Sequence, residues 1–505
     1  MLINDHQRVA SSTAATVLRS FMRLSLVVGL LTSAWLRLPS AYAVDEESMQ
    51  SPLYTEYNTF IRSQNFLELL AAGSQPVSAK VSFYKIDGTF QKAVRVDLEP
   101  QQQVDLDVNT LVGVNDTYGV VKVEFGGASD LRRLQGRMAV YRVNDTDSDF
   151  SFAYVLPLRT PLTGRSAATS NTFDAQGRGF VVPNWLSVTN LDDAAQEFTH
   201  TRYAQDGSVV DSTTITLNPF ERRDIAAGDF STEGVYLNEI VPTDSTVEYL
   251  SSIVRYGSNT LPGGIFRSYT FAMPVFAKNP SGDAQFMPIS NQSGDCWTQT
   301  NWVEVVNTSS STVNAELLFR DAAGLTFSTT TTTLAPRSQF HFNASMMLEN
   351  KNSDVGVVRV SADTAESLIA QSVVYFHDCR RNLLQTAYNI QSNTPNDVPL
   401  IGSFNRFLAQ ENELRVYGVS GVNRTVELSL NSNTETISTS TFPLSNFAVE
   451  LFQLNDEQFA TTEDTYGTIA LDANYDDSMM AYTLRLRKSG ADTTKVNFAV
   501  PIEAR

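Results

Sequence analysis

Side chains able to do chemistry are few in this 505-residue chain and form no recognised catalytic motif. The histidines, His6, His200, His341 and His377, are too scattered for a metal-ligand spacing. H-E-x-x-H, G-x-S-x-G and phosphate-loop patterns are missing, so the sequence points to a protein that is not an enzyme and needs no cofactor. Two arrangements of charged residues nevertheless suggest a site. In Asn144-Asp145-Thr146-Asp147-Ser148-Asp149 three carboxylates alternate, as at the start of an oxygen-rich calcium loop. Counted from Asp145, the sixth and twelfth positions are Phe150 and Leu156 instead of Gly and Glu, which favours a solvated hairpin tip over a calcium site. The second arrangement is His200, Arg202 and Arg255, whose meaning depends on the elements that hold them.

Those elements recur. The stretch from Asn301 to Pro336 has Gly324 at a turn 23 residues in and Pro336 after 35, and the same spacings relate Asn184, Gly207 and Pro219, and Asn65, Gly88 and Pro100. A fourth, shorter copy starts at Asn412, with Asn431 expected at the turn and Pro443 closing the next strand. Within each copy the apolar residues alternate: Ala79, Val81 and Phe83; Ala315, Leu317 and Phe319; Val426, Leu428 and Leu430. Period two means strands with one face in a core. Asp87-Gly88 and Asp206-Gly207 are hairpin dipeptides. A last strand carries an alanine at 153, 272, 387 and 499, at intervals of 119, 115 and 112.

About seven short strands in roughly 115 residues predict an antiparallel Greek-key sandwich, so the chain is expected to be all-β, with four such units in tandem. The expected boundaries are 44–160, 161–277, 278–392 and 393–505. In strand pattern the units resemble the tandem immunoglobulin-like or fibronectin-III-like domains of exported bacterial proteins. The segments between copies read as linkers by composition, and the apolar groups within them, such as Phe180-Val181-Val182 and Leu400-Ile401, are expected to add edge strands.

Against this register the second copy departs: His200 and Arg202 replace core positions filled elsewhere by Val81 and Phe83 or Leu317 and Phe319. Arg255 stands where copies one and three have Val140 and Val374, while copy four has Arg485. A buried guanidinium needs a carboxylate, a ligand or solvent. These three residues are therefore the candidate ligand site or interdomain contact, against an open edge strand that reaches water.

The first 43 residues read as a secretory signal peptide: Arg19 and Arg23, an apolar run from Leu24 to Trp35, then Ala41-Tyr42-Ala43. Beyond it remain 33 basic and 54 acidic side chains, a net −21, which disfavours nucleic acid and anionic membranes as partners. Cys296 and Cys379 both fall in copy three, and their counterparts in copy two, Gly179 and Thr260, are lost together. In an exported protein that pattern predicts a disulfide, worth about 4 kcal/mol by loop entropy. The absence of a C-x-x-C spacing disfavours a reactive thiol pair.

The expectation is thus a non-enzymatic, exported rod of four sandwiches, structural or adhesive, in the periplasm or at the cell surface, with protein partners of the envelope or self-assembly. No membrane span is expected in the mature chain. The alternative is a module binding a glycan or small ligand through copy two. A hydrolase site at a domain joint is a third possibility, and it requires carboxylates that converge in space.

Overall fold

A computed structural model describes residues 52–505, apart from 114–115, 127–133, 144–148, 175–180, 230, 259–268, 295, 352, 379–382, 396–398, 434, 474–478 and 490–494. The expected signal peptide lies outside the described residues.

Alternating side chains give strands throughout. In repeat one these are β1 (Leu53–Asn58), β2 (Ser63–Ala71), β3 (Val77–Lys85), β4 (Phe90–Leu98), β5 (Gln103–Asp107), β6 (Tyr118–Gly126), β7 (Leu134–Val143) and β8 (Phe150–Pro157). They form two antiparallel four-stranded sheets, ordered β1-β6-β3-β4 and β5-β2-β7-β8. The chain changes sheet between β2 and β3 and again between β6 and β7, while β2 pairs β7 and β3 pairs β6, which is Greek-key connectivity. The same two orders recur in three further blocks, repeat three having one added two-residue strand, Ser293–Gly294.

Among the described residues each repeat has eight main strands instead of about seven. The extra one is β1 and its counterparts Ser166–Asn171, Gln285–Ser290 and Leu400–Asn405. The lead-in and linkers thus supply a strand each, although in repeat two it precedes the Phe180-Val181-Val182 group. Ala79, Val81 and Phe83, with Leu317, Phe319, Leu428 and Leu430, are buried in their sandwich cores as the alternation requires.

The asparagine that opens each copy is fully buried. Asn65 accepts from Asn58 N–H at 2.9 Å and donates to Asn58 O at 2.8 Å; Asn184 does the same to Asn171, and Asn412 to Asn405. Asn301 accepts from Ser290 N–H at 2.9 Å. A side-chain amide thus satisfies the backbone where the β1-type strand ends, which is why the residue recurs.

The four sandwiches do not form the rod expected from the sequence; they close into a ring. Each β8-type strand packs against those of the neighbouring repeats, and β8 of repeat one also packs against Val496–Ala504 of repeat four. The physical reason is a joint built from the recurring Gly and Pro. Gly88, Gly207 and Gly324 have φ of +80°, +89° and +81°, and each turn lies against the Pro-type turn of the next repeat. Arg222 N–H donates to Ile86 O at 2.9 Å, Gln339 N–H to Gln205 O at 3.0 Å, and Val449 N–H to Ala322 O at 2.9 Å.

The fourth joint is a variant. Asn431 is not the turn residue but ends its ladder opposite Thr436, and the contact passes to Asn433, which accepts from Gln103 N–H at 3.0 Å and donates to Gln103 O at 3.1 Å. Pro443 sits inside the ladder opposite Thr425; the slot of Pro100, Pro219 and Pro336 is held by Asn446, against which Gly324 packs. Head-to-tail contacts make a ring when their rotation closes, and here it closes within one chain.

Candidate functional site

Most of the buried charges lie at the joints between repeats. They project from the sheet faces that meet the neighbouring sandwich. Arg255 pairs across its ladder with Asn184, and its guanidinium crosses to repeat three, where Nη1 meets Glu304 Oε1 at 2.9 Å and Nη2 meets Oε2 at 2.8 Å. Its Nε donates to Thr169 O at 3.1 Å, and Gln371 donates to the same carboxylate at 2.6 Å. Both charged side chains are 2% exposed. Burial opposes ionisation of Glu304, but Arg255, His341 and Gln371 outweigh it and hold the carboxyl down at about 2.

Repeat four repeats this chemistry toward repeat one. Arg485, in the slot of Arg255, meets Glu68 Oε1 at 2.9 Å and Ser403 Oγ at 2.8 Å, and Arg137 joins Glu68 at 2.5 Å. Where Val140 and Val374 fill the slot, the joints differ. Glu56 of repeat one takes hydrogen bonds from Ser252 and Thr189 of repeat two at 3.0 and 3.3 Å, with Arg222 at 3.5 Å. At the remaining joint Arg415 pairs with Glu413 of its own repeat, and Gln292 of repeat three bonds to both.

The sequence candidates separate accordingly. Arg255 is the interdomain contact its register suggested, with Glu304 as its carboxylate. His200 is buried, and Nε2 meets Asn238 Oδ1 at 2.9 Å; burial pushes its pKa down against that hydrogen bond. Arg202 faces Asp211 on the neighbouring edge strand, with Nε to Oδ1 at 2.8 Å. Its pKa is raised, chiefly by the hydrogen bond to Asp211. The three residues share no hydrogen-bond partner, so they do not converge on one pocket. His341 and His377 are also apart, bonded to Gln339 at 3.1 Å and Thr300 at 3.0 Å.

Of the calcium candidates, Asp145 and Asp147 lie outside the described residues. Asp149 is committed to protein donors: Arg487 and Ser489 of repeat four, the latter at 2.7 Å, and Phe150 N–H at 2.9 Å. Burial opposes its ionisation, but hydrogen bonds from Asn497, Arg487 and Ser489 lower its pKa. It is a joint residue and not a metal ligand with open oxygens. Among the described residues no cluster of three or more His, Cys, Asp or Glu could hold a metal, and no helix is long and apolar enough to cross a membrane. Cys296 is a buried free thiol among the described residues, and its expected disulfide partner, Cys379, lies outside them.

Sequence reasoning missed Glu68, Glu304 and Arg415. Each stands three residues after a repeat asparagine, between apolar neighbours, at the slot that holds Ser187 in repeat two. That recurrence was a usable signal, since a solvated face has no reason to alternate anion, hydroxyl, anion and cation in register.

The chain matches no protein-family model and no curated protein. Among solved structures it is similar to a Bacteroides uniformis beta-glucuronidase 2 covalently bound to cyclophellitol-6-carboxylate aziridine, at 12% identity over 45% of this chain and 26% of that one, with a TM-score of 0.11. A beta-glucuronidase from Ruminococcus gnavus in complex with D-glucuronic acid has 10% identity over 72% of this chain and 49% of that one, also with a TM-score of 0.11. The chain therefore spans about a quarter to a half of these proteins, and superpositions this poor carry no argument about fold or activity.

Proposed function

We propose that the protein is a non-enzymatic, exported structural component, a stiff ring of four sandwiches that holds protein partners on its rim. The observation that carries this reading is the set of β4-type strands, Phe90–Leu98, Val209–Leu217, Thr326–Leu334 and Thr436–Leu444, each an outer edge of its sheet. Their open backbone groups can accept an added strand. Apolar side chains stand exposed on or beside them: Phe90 at 56%, Val209 at 62% and Leu325 at 67%. Buried ion pairs and apolar clusters fix the sandwiches to one another, so four edges are held at set spacings, which suits bridging.

The test is expression of the tagged chain in its own organism, followed by fractionation, crosslinking and identification of what is bound. Recovery in an envelope or surface assembly, with the crosslink lost when Val209 and Val210 are both changed to Lys, supports the reading. A free soluble monomer without a protein partner overturns it.

A further inference from the structure

The four β8-type strands surround a cavity of about 460 Å³ on the ring axis. Ala153, Ala272, Ala387 and Ala499 all line it, so the alanine repeated through the sequence is the small side chain each repeat presents to the axis. The walls include Tyr154, Met273, Phe276 and Tyr388. This volume and mainly apolar lining are those of a small-molecule site.

Six residues after each alanine comes a collar of equivalent positions, Arg159, Lys278, Asn393 and Arg505, all lining the cavity. Each is bridged to the second residue of its repeat's β1-type strand: Tyr54 with Arg159, Ala167 with Lys278, Phe286 with Asn393, and Ile401 with Arg505. The Arg505 side is neutralised, since its guanidinium meets Glu503 at 2.9 Å and Asn393 donates to the same carboxylate at 2.7 Å.

The opposite side is not. Lys278 Nζ donates to neutral acceptors, the Ser392 carbonyl and Asn393 Oδ1, and the carboxylate whose charge reaches it, Glu503, is already held by Arg505 and Asn393. Arg159 donates to Ser251 O at 3.1 Å and lies over the Phe276 ring at 4.7 Å. Its nearest carboxylate, Glu56 at 3.7 Å, is shared with Arg222, and its Nε is buried with no acceptor.

We propose that this axial cavity binds a small amphiphilic carboxylate, its anionic head between Lys278 and Arg159 and its apolar body against Tyr154, Met273, Phe276 and Tyr388. Two desolvated cations whose counter-charges are already engaged elsewhere, Glu56 by Arg222 and Glu503 by Arg505 and Asn393, are stabilised by an anion that supplies another. Consistent with that, burial pushes Lys278 down to about 8 against Glu503, with Arg505 adding to the shift. Burial likewise pushes Arg159 down to about 10 against Glu56, with Arg505 and Arg222 adding to it. This site is independent of the rim contacts above.

The test uses the full chain and the fluorescent anion 1-anilinonaphthalene-8-sulfonate, displaced by decanoate or by decanol. One dye per chain is expected, displaced by decanoate and not by decanol. Lys278→Met and Arg159→Met should each weaken decanoate roughly tenfold, the loss of one charge-assisted contact, while the thermal midpoint stays within a few degrees. Should Lys278→Met not fold, Lys278→Gln carries the comparison. Unchanged decanoate affinity in both variants, equal displacement by decanol, or several dye sites indifferent to either substitution would overturn the proposal.

Discussion

Arg255 of repeat two and Glu304 of repeat three form a two-pronged ion pair across a domain joint, with both contacts at 2.8 to 2.9 Å and both side chains almost free of solvent. Removing one partner leaves the other charged and buried. Arg255→Met alone should therefore destabilise the protein by about 3–5 kcal/mol, whereas Arg255→Met with Glu304→Met should recover most of the loss. Urea unfolding of the two single variants and the double variant measures this cycle. Additive losses in the double variant would mean that the pair is not coupled.

The same carboxylate predicts an acid dependence. Glu304 is held at about 2 in the fold against an ordinary value of 4.5, so its contribution is fully present above about pH 4.5 and is lost as pH falls toward 2. Urea midpoints followed from pH 6 to pH 3 should fall more steeply in the wild type than in Glu304→Gln. Identical slopes would show that Glu304 is not held ionised by its neighbours.

Two glycines with positive φ separate backbone strain from joint contact. At Gly207, φ is +89° and an added Cβ would lie 2.0 Å from Pro336 O; at Gly113, φ is +63° and nothing lies within 4 Å. Gly113→Ala should cost about 1 kcal/mol through backbone strain alone, and Gly207→Ala clearly more because the next repeat must move. Thermal denaturation of both variants decides it. Equal losses would mean that the turn does not bear on its neighbour.

Closure itself is testable at Asn433. Asn433→Ala removes both hydrogen bonds to Gln103 and should cost about 1–2 kcal/mol. Faster amide exchange should be confined first to Gln103 and its neighbours. Unchanged exchange there would show that the other contacts of this joint, Arg485 with Glu68 and Arg487 with Asp149 among them, close the ring without Asn433.

Strand pattern, repeat register and core faces were legible because they obey a local period: Ala79, Val81 and Phe83 are inward in the structure as in the alternation. The carboxylate partner demanded by Arg255 was also legible as a need. Its identity was not, because Glu304 looks like an outward residue until a neighbouring sandwich covers that face. The ring was hidden for a related reason. Gly207 and Pro336 read as punctuation within separate hairpins, and nothing local says that one will rest on the other. Asn446 was missed because it does the work of a proline without being one.

The joints also set a limit on length. In an open solenoid the outer face of the last unit can accept another, so copies can be gained or lost with little harm. Here the last repeat's turn is already occupied by Gln103 of the first. A fifth copy would have no vacant seat, and a chain of three would leave Glu68 without Arg485. The number four is thus a property of the contacts and not of the linkers, and unequal crossing-over within such a gene should yield chains that fail to fold instead of longer working ones.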